Sequence, residues 1–301
     1  MNYYNEIKNK LIDNEVYKKV KDYSKNRNDL STYYEVGKLL IKTQGGEERA
    51  KYGDNLIKEY SERLFNDTGR KYNITALKRI RQFYLVVEKG VPLAHQLTWS
   101  NYCELLPLKD INEINYYIKT TIEQCLSKRQ LRERIRNKEY QRLDDKTKLK
   151  LINKEEIDIK DNIKNPIIIK NKLDIDKEIV SEKILQRLIL EDIPSFLEEL
   201  GTGYSFIKNE YKIKIGDTYN YIDLLLFNIK YNCYVVVELK VTELKKEHIG
   251  QIQIYMNYID NSLRKITQDK TIGLIICKKD NKYVIEYSSD KRILSREYEL
   301  I

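Results

Sequence analysis

Apolar residues recur three and four positions apart through the first 142 residues. Beyond residue 177 that spacing gives way to short runs that alternate or are continuously apolar. A chain with two hydrophobic periods cannot bury both in one kind of layer: the first calls for helix packed on helix, the second for a sheet covered by helices. Two domains are therefore expected, and 301 residues suffice for two cores of ordinary size. We expect a helical domain over 1–142 and an α/β domain over 177–301. Between them, 143–176 carries charge blocks and Asn165-Pro166, and reads as a connector ordered in part where Ile167 to Ile169 pack.

In the helical part, LSTYYEVGKLLIKTQ, NLIKEYSERLFNDTG and ITALKRIRQFYLVVEKG are amphipathic and end at glycine or polar residues. The second of these leads through Asp67-Thr68-Gly69-Arg70-Lys71 into Ile74 to Val87, whose polar side carries Lys78, Arg79 and Arg81. A helix, a short glycine-containing turn and a basic helix is compatible with a helix-turn-helix-like element. A second basic helix, SKRQLRERIRNKEYQRL, gathers Lys128, Arg129, Arg132, Arg134, Arg136, Lys138 and Arg142. It reads equally as a phosphate-binding stripe or as a solvated face with Glu133 and Glu139 as partners. His95 and Trp99 are expected to pack in this domain.

The charge divides along the same line. Residues 1–150 hold 31 Lys and Arg against 21 Asp and Glu, whereas 151–301 hold 24 against 25. A basic half beside a near-neutral half suits a first domain that meets a polyanion and a second that does something else. The 25 tyrosines carry no such weight, because Lys, Ile, Asn and Tyr are abundant together, as in an AT-rich coding sequence. No apolar run long enough to span a bilayer exists and the N-terminus has no apolar signal core, so a cytoplasmic protein is expected. The four cysteines are scattered, and GxxxxGK, GxGxxG and Ser/His/Asp patterns are missing, which removes support from zinc-finger, NTPase, dinucleotide and serine-hydrolase readings.

After residue 177 the expected order is a helix over 177–191, a second helix DIPSFLEELG capped by Asp192 and stopped at Gly201, three strands, a helix, then TIGLIIC and YVIEYS as strands. Gly216-Asp217 reads as a two-residue hairpin turn between SFIKNEYKIKI and TYNYIDLLLFN. A four-residue loop, Ile229 to Asn232, pairs Asn228 with Cys233 and so sets Asp223 opposite Glu238, with Lys240 on the face of Glu238. Two carboxylates in an apolar sheet repel each other, and one would be driven neutral unless a cation lies between them. Oxygen ligands that leave positions for water suit Mg²⁺ or Mn²⁺. Lys240 is then placed to orient or deprotonate an attacking water and to neutralise charge developing on a phosphate. Glu210 has an unresolved face, His248 reads as a surface residue, and a salt-bridged edge hairpin is the plain alternative.

Residues 177–301 resemble the PD-(D/E)xK nuclease superfamily, with Asp223 as its acidic residue and Glu238-Leu239-Lys240 as its (D/E)xK. More narrowly, FLEELGTGYSFIKNEYKI, YIDLLLFN, VVVELKVTELKKEHIGQIQIYMNYID and IGLIICK are similar to YhcG-type bacterial proteins, and YYEVGKLLI, LKRIRQFY, LTWSNYCELL and SKRQLRERI to their N-terminal domain. Ile222 replaces the proline of the PD pair, and Leu126 stands where similar proteins often have Trp. The resemblance implies a restriction-endonuclease-like αβββαβ domain and a metal held by Asp223, Glu238 and the Leu239 carbonyl. It also implies Glu199 as a further acid near that metal and Gln251 with Tyr255 as supporting residues. The function so implied is a metal-dependent DNA endonuclease whose basic helical domain, through Lys78, Arg79, Arg81, Lys128, Arg129, Arg132 and Arg136, holds DNA. A catalytically silent DNA-binding accessory protein stays open as the rival; RNA as partner and a homodimer also stay open.

Overall fold

A computed structural model describes residues 3–20, 25–43 and 54–301, so Gln44, at the end of one expected helix, lies outside the described residues. The chain divides into two compact units between Tyr140 and Gln141. Among the described residues no helix is long and apolar enough to cross a membrane.

The first unit is helical: α1 (Tyr3–Val20), α2 (Lys25–Thr43), α3 (Asp54–Thr68), α4 (Ile74–Glu88), α5 (Trp99–Leu105), α6 (Ile111–Glu123) and α7 (Lys128–Arg136). Its core joins Tyr4, Ile7 and Leu11 of α1 to Val36, Leu39 and Leu40 of α2, Ile57, Tyr60 and Leu64 of α3, and Leu77 and Ile80 of α4. Trp99 packs as expected, with ring centroids 4.7 Å from Tyr33 and 5.4 Å from Phe83. His95 instead stands exposed, because it falls in the irregular stretch before α5 rather than on an apolar helix face. Asn73 caps α4 by accepting the Ala76 N–H.

Helices α2 and α4 touch where α2 has no side chain. A Cβ on Gly37 would lie 2.6 Å from the Ile80 carbonyl oxygen and 2.7 Å from Tyr84 Cβ. Since one of those atoms is backbone, Gly37→Ala must push the helices apart, at a cost of about 1–3 kcal/mol. The expected result is a fall in melting temperature for this unit, followed by far-ultraviolet circular dichroism; an unchanged melting curve would disprove the close approach.

The second unit is a six-stranded mixed sheet in the order β1-β6-β5-β4-β3-β2, formed by β1 (Ile167–Ile169), β2 (Tyr204–Ile215), β3 (Thr218–Asn228), β4 (Cys233–Glu243), β5 (Ile272–Lys279) and β6 (Ile293–Leu300). Strands β2, β3 and β4 run antiparallel, and β4, β5, β6 and β1 parallel. On one face α9 (Glu182–Glu191) and α10 (Ile193–Leu200) cover Leu224, Leu226, Val235, Val237 and Leu239. On the other, α11 (Lys246–Ser262) covers Leu225, Val236 and Ile275 through Ile252, Met256 and Ile259. Apolar strands without alternation, as in VVVEL, are what a sheet buried on both faces requires.

Two expectations are corrected here. The stretch 143–176 is more than a connector ordered in part: Ile167 to Ile169 pack as expected, forming β1 beside β6, but α8 (Asp145–Asn153) precedes them and the whole stretch belongs to the second unit. YVIEYS is not a strand either. Lys282–Glu286 form the short helix α12, and the final strand is Ile293–Leu300. The reason is topological: β6 runs parallel to β5, so the chain must cross back over before pairing, and YVIEYS lies in that crossover.

Candidate active site

The hairpin turn at Gly216-Asp217 and the pairing of Asn228 with Cys233 both hold. The β3–β4 ladder ends at Leu224 and Val237, one pair short of Asp223 and Glu238. Past that point the strands part, and a side chain takes over from the backbone: Asp223 Oδ2 accepts the Leu239 N–H at 2.8 Å. Gln186, buried on α9, donates to the main-chain oxygen of Asp223 at 3.0 Å and fixes it from the opposite layer.

Glu238 is 2% exposed, and its Oε2 lies 3.6 Å from the Lys240 ammonium. Its Oε1 is buried with no hydrogen-bond partner. Burial first, and the Asp223 carboxylate second, push the Glu238 carboxyl up to about 8, against the pull of Lys240. Asp223 is also raised, chiefly by burial, with Glu182 and Glu210 adding to it while the Leu239 N–H and Lys240 oppose. Lys240 reaches a second acid, with Glu182 Oε2 at 3.6 Å.

Of the other expected residues, Gln251 and Tyr255 sit on α11 one turn apart, the Gln251 amide donating to the Tyr255 hydroxyl at 3.1 Å. Tyr255 is buried, which raises its hydroxyl, and it senses Glu238, Lys240 and Asp223. His248 accepts the Lys245 N–H at the start of α11, and its pKa is lowered by burial and then by Lys240.

Glu199 is not brought to this cluster. Its carboxylate is gripped by Arg142, at 2.6 and 3.1 Å, and accepts the Ile168 N–H at 3.2 Å. The acids that act on Asp223 are Glu182 and Glu210 instead. Glu182 begins α9, and no local pattern links it to Asp223 and Lys240, 41 and 58 residues further along the chain. Glu210 lies in β2 level with Asp223, between the pairs Asn209–Leu224 and Tyr211–Ile222, at φ 47°. Regular alternation could not place it because the backbone there is left-handed.

In the first unit Arg79, Arg129 and Arg136 are exposed, and Lys78 and Arg81 are half-buried on α4. Glu104 on α5 takes Arg132 in a two-pronged pair at 2.9 and 2.8 Å and Lys128 at 3.5 Å. Arg134 pairs with Glu139, while Arg142, bound to Glu199, belongs to the other unit.

The cluster suits a divalent cation. Among the described residues no group of three or more His, Cys, Asp and Glu is gathered as a metal cage. Asp223 and Glu238 do give two carboxylates with one oxygen unpartnered, and the amide of Leu239, whose carbonyl points to the same neighbouring strand, adjoins them. A few oxygen ligands leaving room for water is what Mg²⁺ accepts.

The raised carboxyl has a measurable consequence. Without a cation, folded Glu238 keeps its proton to about pH 8, whereas an exposed glutamate loses it near 4.5. The folded state therefore holds a proton the unfolded chain has released; that stabilisation is complete below pH 4.5 and is lost as pH rises towards 8. With EDTA present, the melting temperature of this unit should fall between those limits, and Glu238→Gln should flatten the curve. Equal slopes for both proteins would show that Glu238 ionises normally.

Residues 160–301 match the family described as YhcG PDDEXK nuclease domain, and residues 9–142 that described as DUF1016 N-terminal domain. The Escherichia coli (strain K12) protein named "Putative nuclease YhcG" is 26% identical over 310 residues, covering 90% of this chain and 83% of that one. Among solved structures, a repair endonuclease from Pyrococcus abyssi aligns at 16% identity over 42% of this chain and 49% of that one, with a TM-score of 0.28. An EndoMS–dsDNA complex aligns at 19% over 42% and 48%, also at 0.28.

Proposed function

We propose, for a chain that joins a DUF1016 N-terminal domain to a YhcG PDDEXK nuclease domain, the function of a divalent-cation-dependent DNA endonuclease that hydrolyses phosphodiester bonds. The observation that carries this reading is the meeting of Asp223, Glu238 and Lys240 at the end of the β3–β4 ladder, with Glu238 Oε1 buried and unpartnered.

Asp223, Glu238 and the Leu239 carbonyl would hold Mg²⁺ or Mn²⁺. The ion supplies Lewis-acid charge that polarises the scissile phosphate and makes water a better nucleophile near neutral pH. The chain's own groups do the rest. Glu238 gives up its proton to become a ligand, so cation uptake releases protons below about pH 8. Lys240, held between Glu238 and Glu182, donates hydrogen bonds to the water and to phosphate oxygens. Tyr255, with its hydroxyl fixed by Gln251, stands beside the charged cluster on α11. Glu182 replaces Glu199 as the third acid of the site.

DNA is held by phosphate contacts from the basic helical unit, with Arg129 and Arg136 the principal groups because Lys128 and Arg132 are shared with Glu104. Arg129→Ala with Arg136→Ala should weaken binding of any DNA sequence and lower the slope of log affinity against log salt by about 2, roughly one per lost contact. Arg132→Ala should do less; equal losses would mean that Glu104 leaves Arg132 free for DNA.

The function itself is tested by incubating the purified protein with duplex, branched and single-stranded DNA in Mg²⁺, Mn²⁺ or EDTA. Strand breakage that requires the ion supports the reading. DNA binding without breakage in either ion would overturn it in favour of an accessory DNA-binding protein.

A further inference from the structure

The β2–β3 hairpin outruns the sheet. Its pairing continues to Ile215 and Thr218, whereas β3 pairs with β4 only from Leu224 to Asn228. The part beyond Asp223 is thus a two-stranded ribbon that springs from the carboxylate cluster. Its two faces differ. Ile213 and Ile222 are buried and, with Tyr211 and Ile215, pack into the core formed by α11. On the outer face Lys212 pairs with Tyr221 and Lys214 with Tyr219.

That outer face is unusual for a sheet margin. Tyr219 is 54% exposed and Tyr221 52%, and both lysines are exposed. The Lys212 ammonium lies 3.8 Å from the centre of the Tyr219 ring, so the aromatic surface and the charge form one patch. Lysines alone would be accounted for as a guard against edge-to-edge pairing of strands. Two large rings left facing water beside them serve no such purpose. The tyrosine count says nothing here; the exposure of these two does.

Phosphates are matched by the lysines, and sugars or bases by the rings; that interleaving fits a nucleic acid chain. The position adds direction, since Tyr221 is two residues from Asp223, roughly 7 Å along the strand. We propose that the outer face of this ribbon, through Lys212, Lys214, Tyr219 and Tyr221, binds the sugar–phosphate backbone of DNA next to the scissile bond. This rests on the nuclease reading above and makes the four side chains positioning residues for the strand entering the site.

The test uses the full-length protein carrying Asp223→Asn, so that DNA is bound but not consumed, with affinity for duplex DNA followed by fluorescence anisotropy over a range of salt. Lys212→Ala with Lys214→Ala is expected to weaken binding and lower the salt slope by about 2. Tyr219→Ala with Tyr221→Ala is expected to weaken it about tenfold with the slope unchanged. Phenylalanine at both positions should restore most of that loss. In the otherwise wild-type enzyme both pairs should raise KM and leave kcat. Melting curves report folding of each variant. Unchanged affinity and slope in a folded lysine variant would overturn the proposal. Were the wild type still to cleave DNA, the nuclease reading would stand without it. No DNA binding by the Asp223→Asn parent would bring down both.

Discussion

Asp223→Asn is expected to abolish cation-dependent DNA cleavage, by about a thousandfold or more, while DNA affinity stays within a few-fold. Losing one of two carboxylate ligands removes several kcal/mol of charge stabilisation from the transition state, and each 1.36 kcal/mol is about tenfold in rate. Asp223 also holds the Leu239 N–H, so the asparagine keeps that hydrogen bond and the fold, and loses only the charge. Lys240→Ala should cost about a hundredfold to a thousandfold, as for a lost donor to a developing oxyanion. Glu238→Gln should do two things at once. It ends cleavage, and around pH 7 and above it stabilises the cation-free protein, because a neutral amide needs no proton, whereas folded Glu238 must hold one up to about pH 8 and is a buried carboxylate beyond it. Activity in Asp223→Asn equal to that of the wild type, with the same purification controls, would end the assignment.

Glu199→Ala is expected to be the most destabilising of these substitutions, at about 3–5 kcal/mol, because it leaves a buried guanidinium without its counter-charge. The Arg142 side chain is 9% exposed and that of Glu199 14%, and Arg142 also donates to the Pro166 carbonyl at 2.7 Å, a neutral acceptor that does not replace the lost charge. For a unit of this size the melting temperature should drop on the order of 10 °C. Replacing both partners, Arg142→Met with Glu199→Leu, should recover most of it, since removing a buried pair whole is far cheaper than halving it. Below the melting transition the single variant should still cleave DNA. Loss of cleavage with an unchanged melting temperature would return Glu199 to the active site.

These cases show which features could be read from the sequence. The hairpins were legible because Gly216-Asp217 and the four-residue loop before Cys233 fix register by chain length alone, and register then places Asp223 and Glu238. Glu182 was not legible. It reaches Lys240 only through the packing of α9 on the sheet, a matter of three-dimensional arrangement with no local signature. Glu199, chosen by analogy, lies on α10 rather than α9, and only the coordinates of Arg142 reveal its commitment. The partner of Arg132 and Lys128 was missed likewise: helical spacing suggests neighbours on α7, whereas Glu104 comes from another helix. YVIEYS has strand-forming composition, and topology overrode it.

The sheet joins partners of very different sequence separation. Strands β2, β3 and β4 are linked by turns of two and four residues, while β1 must find β6 some 130 positions away. Nearby partners meet soonest, because closing a short loop sacrifices little chain freedom. The acidic pair therefore resides in the segment whose closure costs the chain least freedom, and the union of β1 with β6 closes by far the longer loop.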